Sequence, residues 1–228
     1  TVICRVLVEE LDRGLPPGAL TRERIDGILM HPLRGYDHDT VPRIAPTVLY
    51  GSRPTPFCTI PGVQCDDALG IRRLLEHLHS LGHRRFAFVS HYLEGFGPHV
   101  SYTERMSAFR DWVSGQRCRG DVVSLPSFDV EDFADRFRKA KPDRRPTAVL
   151  VSNDILAIKL LSAFAARGVR VPAEVSVTGF DGYPLCRDVY PTLTTWCPDW
   201  ASMGRVAFRT LLGLLGAELH AAAAASAR

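Results

Sequence analysis

Thr147-Ala148-Val149-Leu150-Val151, then Ser152-Asn153-Asp154 leading a long run to Arg167-Gly168, then Glu174-Val175-Ser176-Val177-Thr178-Gly179-Phe180, is the stretch that decides the fold. Thr147 to Val151 is a short, almost wholly apolar run, too short for a helix and suited to a strand covered on both faces. Asp154 to Arg167 reads as a helix, stopped by Gly168 at the position where a left-handed residue ends such elements. Glu174 to Phe180 reads as the next strand. Strand, helix and strand in that order make a βαβ unit of a parallel sheet.

Working outward toward the amino end, the same rhythm recurs. Arg85 to Ser90 reads as a strand, Glu104 to Trp112 as a helix, Val122 to Leu125 as a strand and Val130 to Lys139 as a helix. Four strands in one unbroken series make a complete lobe. The first part of the chain is poorer. Val2 to Val8, Ile25 to Met30 and Thr47 to Tyr50 read as strands and Leu20 to Arg24 as a short helix, with Pro and Gly between them. The fold class expected is α/β, with parallel sheets flanked by helices.

The 228 residues suffice for one large domain or two small lobes, and the 46% hydrophobic and 23% charged residues are those of an ordinary globular chain. Lys and Arg number 28 against 25 acidic residues and are interspersed, whereas a nucleic-acid surface gathers its cations on one stripe. DNA binding by this stretch alone is not expected. Six cysteines, Cys4, Cys58, Cys65, Cys118, Cys186 and Cys197, include no C-x-x-C pair, so reduced thiols in a cytoplasmic protein are expected rather than zinc or a disulfide framework. No apolar stretch approaches the roughly 20 residues that span a bilayer. His77, His79 and His83 surround a predicted helix end without metal-ligand spacing. G-x-S-x-G, H-E-x-x-H and G-x-x-x-x-G-K-[ST] are all absent, so neither catalysis nor a cofactor is expected.

Several blocks then become specific. Val149 to Ala157, Arg167-Gly168-Val169-Arg170-Val171-Pro172 running on to Thr178-Gly179-Phe180-Asp181-Gly182, and Pro191-Thr192-Leu193-Thr194-Thr195 resemble the C-terminal signature of LacI-type bacterial transcriptional regulators. Asp66-Asp67-Ala68-Leu69-Gly70, Leu81-Gly82-His83-Arg84-Arg85 and Asp26-Gly27-Ile28 resemble earlier blocks of that family, in matching order over roughly residues 20 to 215. The resemblance implies the effector-binding core of such a regulator, with two periplasmic-binding-protein-like lobes closing on a small effector, a sugar or sugar derivative. It implies a homodimer, and DNA contact only through an N-terminal head that this sequence lacks. Placed here, lobe one takes 1–63 plus 194–228, with its opening strand and helix missing, and lobe two takes 66–191. An exported solute receptor of similar fold is the alternative.

Arg105 stands where the family has an effector-binding arginine, and its guanidinium can fork onto adjacent hydroxyls. Asp181 follows a predicted parallel strand at its carboxyl end, where open α/β sheets gather ligands. Asn153 and Asp154 open a helix, and the expectation is that Asn153 reaches the ligand while Asp154 is structural. Phe128 matches an aromatic that lies against the ligand in relatives, with a loop ring folded onto its own lobe as the other reading. Tyr50 and Arg53 are weaker candidates. Removing Arg105 or Asp181 is expected to weaken binding by about 2 to 4 kcal/mol with folding hardly changed. For the dimer, Ile155, Leu156, Lys159, Leu160 and Tyr183 are the expected patch.

Overall fold

The computed structural model describes residues 26–32, 42, 45–52, 58–92 and 100–226. The chain divides into two compact units, Thr1–Gln64 with Ala201–Arg228, and Cys65–Trp200. The expected strand Val2 to Val8 and helix Leu20 to Arg24 lie outside the described residues, as does Arg53.

In the first unit β1 (Ile28–Met30), β2 (Thr47–Gly51) and β3 (Gly62–Gln64) form a parallel sheet in that order. The central strand β2 shows why the period is two. Val48 packs on one face against Ala207 and Leu211 of the helix Trp200–Ser226, while Leu49 packs on the other against Met30. β1 is shorter than the run Ile25 to Met30, and its Leu29 is exposed.

The second unit adds β4 (Arg85–Tyr92), β5 (Arg119–Pro126), β6 (Ala148–Val151), β7 (Ser176–Phe180) and β8 (Thr194–Trp196), all parallel, in the order β5-β4-β6-β7-β8. Helices α1 (Asp67–Ser80), α2 (Val100–Gly115), α3 (Glu131–Lys139) and α4 (Asp154–Ala166) cover it. All four residues of β6 are buried because the strand is central and covered twice. Ala148 and Leu150 join Phe86, Phe88, Phe109 and Phe180 in a core under α1 and α2, whereas Val149 and Val151 join Phe133, Leu160 and Phe164 under α3 and α4. Each fully buried Phe or Leu contributes roughly 1.5 to 3 kcal/mol to these two cores. The fold class read from the sequence is the one observed. β8 is a strand the sequence reading lacked, and the unit runs on past it to Trp200.

The Gly82-His83-Arg84 block acquires a physical reason here. Gly82 adopts φ +93°, which turns the chain out of α1. His83 then places Nδ1 3.0 Å from Thr147 Oγ1 and Nε2 3.1 Å from Ser176 Oγ, tying the turn to the start of β7 and the residue before β6. Arg84 donates to the carbonyls of His79 and His83, bracing the turn against the helix end. On the opposite side Arg167 bonds Asp135 at 2.5 Å and Glu131 at 2.7 Å, clamping α3 to α4.

Candidate functional site

Chain order and spatial order of the strands part company between β4 and β6. β5 returns on one side of β4, and β6 crosses to the other, so the loops after β4 and β6 diverge and leave room at the carboxyl ends of the strands. Four elements deliver side chains to that end: the first turn of α1, the second turn of α2, the start of α4, and the residue after β7.

At its centre lies Arg105, 5% exposed. Its Nε donates to Asp67 Oδ1 at 2.6 Å, Nη1 donates to the Ser152 carbonyl, and Nη2 donates to Asp181 Oδ1 at 3.3 Å. The guanidinium also stacks on Phe180, 3.6 Å from the ring centroid. Burial opposes its charge, but Asp67 and Asp181 outweigh that and hold the group charged even above the usual arginine range. Arg105 and Asp181, named separately from the sequence, are thus one ion pair. Asp67 was not foreseen. It is one of two acids at a helix start: Asp66 caps α1 by accepting from the Leu69 amide at 2.7 Å, and Asp67 turns inward.

Asp181 carries two unusual features. Its φ is +113°, a region costly for a residue with a Cβ. Burial pushes its carboxyl up to about 7, with Asp154 and Asp67 adding to the rise and Arg105 opposing it. Its side chain retains 18% exposure. Strain and a displaced carboxyl in one residue at the end of a strand are features that gather at functional sites.

Asn153 is the capping residue of α4. Its Oδ1 accepts from the Leu156 amide at 2.8 Å, and its Nδ2 donates to the Tyr102 hydroxyl at 2.9 Å. The capping role therefore does not fall to its neighbour. Asp154 is fully buried and accepts from the Tyr183 amide at 2.8 Å and the Thr195 hydroxyl at 2.6 Å, which makes it structural as expected. Phe128 is half-buried against its own unit, 4.0 Å from the His91 ring, with Lys159 Nζ 5.2 Å from its centroid. His91 in turn lies 5.0 Å from Tyr102, whose ring is 5.7 Å from Arg105. Phe128 thus joins the guanidinium only through two intervening rings. Tyr50, in the first unit, is exposed and meets His31 edge to face.

A groove of about 540 Å³ is lined by residues of α1 and α2, with Cys65, Asp67, Arg72, Glu104 and Trp112 among them. None of Arg105, Asp181, Asn153 or Phe128 lines it. The two share Asp67, and the strand-end cluster is the stronger candidate because the buried Arg105 charge and the strained backbone of Asp181 meet there. The five described cysteines are free, and burial pushes Cys65 and Cys186 up to about 12, which leaves them protonated and unreactive. Among the described residues no group of His, Cys, Asp and Glu could hold a metal ion, and no helix is long and apolar enough to cross a membrane.

A family model described as periplasmic binding protein-like domain matches residues 75–226. The chain is 29% identical over 161 residues to the HTH-type transcriptional regulator DegA of Bacillus subtilis, covering 70% of this chain and 47% of that protein. It is 27% identical over 213 residues to the HTH-type transcriptional regulator CelR of Thermobifida fusca, covering 88% and 60%. The chain thus spans about half to three fifths of the length of these relatives. A solved LacI family transcriptional regulator from Lactobacillus casei, with bound sucrose, is similar at a TM-score of 0.70 and 25% identity, covering 92% of this chain and 77% of that one. The resemblance read from the motif blocks is borne out.

Proposed function

Because the chain belongs to the periplasmic binding protein-like domain family, with LacI-type transcriptional regulators among its relatives, we propose that it is the ligand-sensing part of such a regulator. It works without catalysis, in the cytoplasm, and acts on DNA through a head of the kind that defines its HTH-type relatives. The effector is a small donor-rich molecule, a sugar or sugar derivative, and Asp181 accepts its hydroxyls while Arg105 holds the carboxylate in place. The observation that carries this reading is the buried Asp67–Arg105–Asp181 chain ending on a strained, partly exposed carboxylate at the carboxyl end of a parallel strand. The sucrose bound to the Lactobacillus casei relative supports a carbohydrate effector. The alternative of an exported solute receptor is not favoured, since the relatives matched are regulators.

Melting curves in the presence of sugars, sugar derivatives and nucleobases test it. A ligand at a hundred times its Kd stabilises by about 2.7 kcal/mol, a shift of several degrees. At least one member is expected to give it, and Asp181→Asn, which removes a charge-assisted acceptor, is expected to weaken binding by about 2 to 4 kcal/mol and so cut the shift to about a third or less. No shift with any member, or an equal shift in the variant, contradicts the reading.

A homodimer belongs to the same proposal. Its patch is smaller than the sequence implied, since Leu156 and Leu160 are fully buried beneath α4 and face the core. Of the named apolar residues Ile155 and Tyr183 are exposed, and Leu185 and Tyr190, not named before, are exposed as well. Light scattering at micromolar concentration is expected to give a dimer mass, and Ile155→Asp with Leu185→Asp a monomer. A monomeric parent chain counts against it.

A further inference from the structure

We propose that the amino end of the second unit's sheet, opposite the strand-end cluster, is a docking surface for an acidic segment of another protein, one that offers several Asp or Glu side chains to a field of arginines. The proposal stands apart from the effector site.

Lysines and arginines are interspersed along the chain, but the fold gathers many of them. The strands of this sheet are all parallel, so the stretches that enter them meet at one end. Residues 81–85, 116–119, 138–147 and 168–175 lead into β4, β5, β6 and β7. They hold ten of the 28 Lys and Arg residues and two of the 25 acidic ones, which concentrates the positive charge of the chain here. The carboxyl ends of α1 to α4 lie at the same end. Four helix dipoles amount to about two negative charges, far short of what these cations would balance.

The cations are placed without the carboxylates that usually neutralise them. Arg85 and Arg119 are partners in the β4–β5 register, and like charges opposite each other on neighbouring strands repel. Among the described residues no carboxylate pairs with Arg85, Arg119, Arg138 or Arg145, and Arg170 and Arg144 make only loose pairs, with Glu174 at 3.7 Å and Asp143 at 3.9 Å. Neutral acceptors fix two of the guanidiniums instead, which leaves their charge uncancelled. Arg85 Nε donates to the Arg145 carbonyl at 2.9 Å, and Arg145 donates to the carbonyls of Ala140 at 2.8 Å and Arg138 at 2.7 Å while lying over the Phe137 ring. Glu174 shows what the face takes. The Arg170 amide bonds its carboxylate at 2.8 Å and holds it below the usual range, and the side-chain charges of Arg170, Arg145 and Arg138 add to the fall. One carboxylate among three guanidiniums leaves capacity for more of the same kind.

Nucleic acid suits this end less well. The four stretches contain no Phe, Tyr or Trp on which a base could stack, and the helices present their carbonyl ends there rather than the amide ends that hold phosphates. Eight of the ten cations are arginines, the residue that forks onto a carboxylate and that protein interfaces enrich while depleting lysine. Leu81, exposed on the turn that leads to Arg84, adds an apolar contact of a kind that a phosphate backbone does not use.

Fluorescence anisotropy of the 228-residue chain with a labelled acidic peptide, about twelve Glu and Asp residues around one Leu, tests the proposal at about 150 mM salt. A Kd of about 100 μM or tighter is expected, with a DNA duplex of matched charge weaker by at least about threefold. Arg119→Glu with Arg138→Glu changes two exposed side chains that make no hydrogen bond or ion pair among the described residues. The pair is expected to weaken the peptide by at least about tenfold with an unchanged melting curve, and Arg119→Gln with Arg138→Gln, which introduces no new charge, by about fivefold. Arg209→Glu, also exposed but in the helix Trp200–Ser226, is expected to leave the affinity within about twofold. A duplex that binds as tightly as the peptide makes this a general polyanion surface and overturns the proposal. So does a peptide that fails to bind, one that binds both double variants as tightly as the parent chain, or one that Arg209→Glu weakens as much as they do.

Discussion

Arg105→Ala is expected to lower the stability of the chain by about 3 to 5 kcal/mol, the cost of removing one partner from a buried ionic group. Arg105 is 5% exposed and bonds two carboxylates and a carbonyl, so alanine strands Asp67 and Asp181 together in a site where burial already disfavours Asp181's charge. The deficit depends on pH with a defined sign. A carboxylate whose pKa is raised on folding favours the folded state at low pH and loses that contribution as pH climbs from the unfolded value toward the folded one, here from about 4 to about 7. Without Arg105, which opposes the rise, the folded value goes higher and the loss continues further up. Urea melts followed by far-UV circular dichroism should therefore show a larger difference between variant and parent at pH 8 than at pH 5. A difference below about 1 kcal/mol at pH 8 would mean that the triad is as solvated as a surface pair.

Gly179→Ala is the second large effect. An alanine Cβ at this position would overlap Asp154 Oδ1 and stand 3.0 Å from Leu193 Cδ2 and 3.3 Å from the Asp154 Cα. The methyl cannot be accommodated unless the Asp154 carboxylate leaves the Tyr183 amide and the Thr195 hydroxyl. Overpacking of this kind costs about 1 to 3 kcal/mol, and each charge-assisted bond lost adds about 1.5 kcal/mol or more, so a loss on the order of 4 kcal/mol is expected. Because Asp181 lies two residues on, ligand binding should fall with it. A variant within about 1 kcal/mol of the parent would show that Asp154 rotates freely and does not anchor the end of β7.

These two residues also show what was legible in the sequence. The central strands β4, β6 and β7 announced themselves because a strand covered on both faces must be largely apolar, whereas β5, at the sheet edge, was legible only through its Val122-Val123 core. β8 did not, because Thr194 to Trp196 is three residues long and follows Pro191, which reads as a crossing. Arg105 and Asp181 were both named, yet their union was invisible: they are 76 positions apart, and nothing in a first-turn arginine says that it is buried. Hence the expectation that its loss would leave folding unchanged, which the ion pair reverses. Asp67 was hidden by Asp66, since two adjacent acids at a helix start are both competent caps and only backbone geometry chooses. The same ambiguity gave Asn153 a ligand role without the capping role it has. Phe128, expected against the ligand, packs on His91 and its own unit, because a loop ring in a single sequence carries no sign of which surface it covers.

A crystal structure of the chain with the ligand that gives the largest melting shift tests the central claim most directly. The account predicts a ligand donor within about 3.2 Å of an Asp181 carboxylate oxygen, with Arg105 still bonded to Asp67 behind it. A ligand seated in the groove lined by Arg72, Glu104 and Trp112, or anywhere that leaves Asp181 without contact, would contradict it.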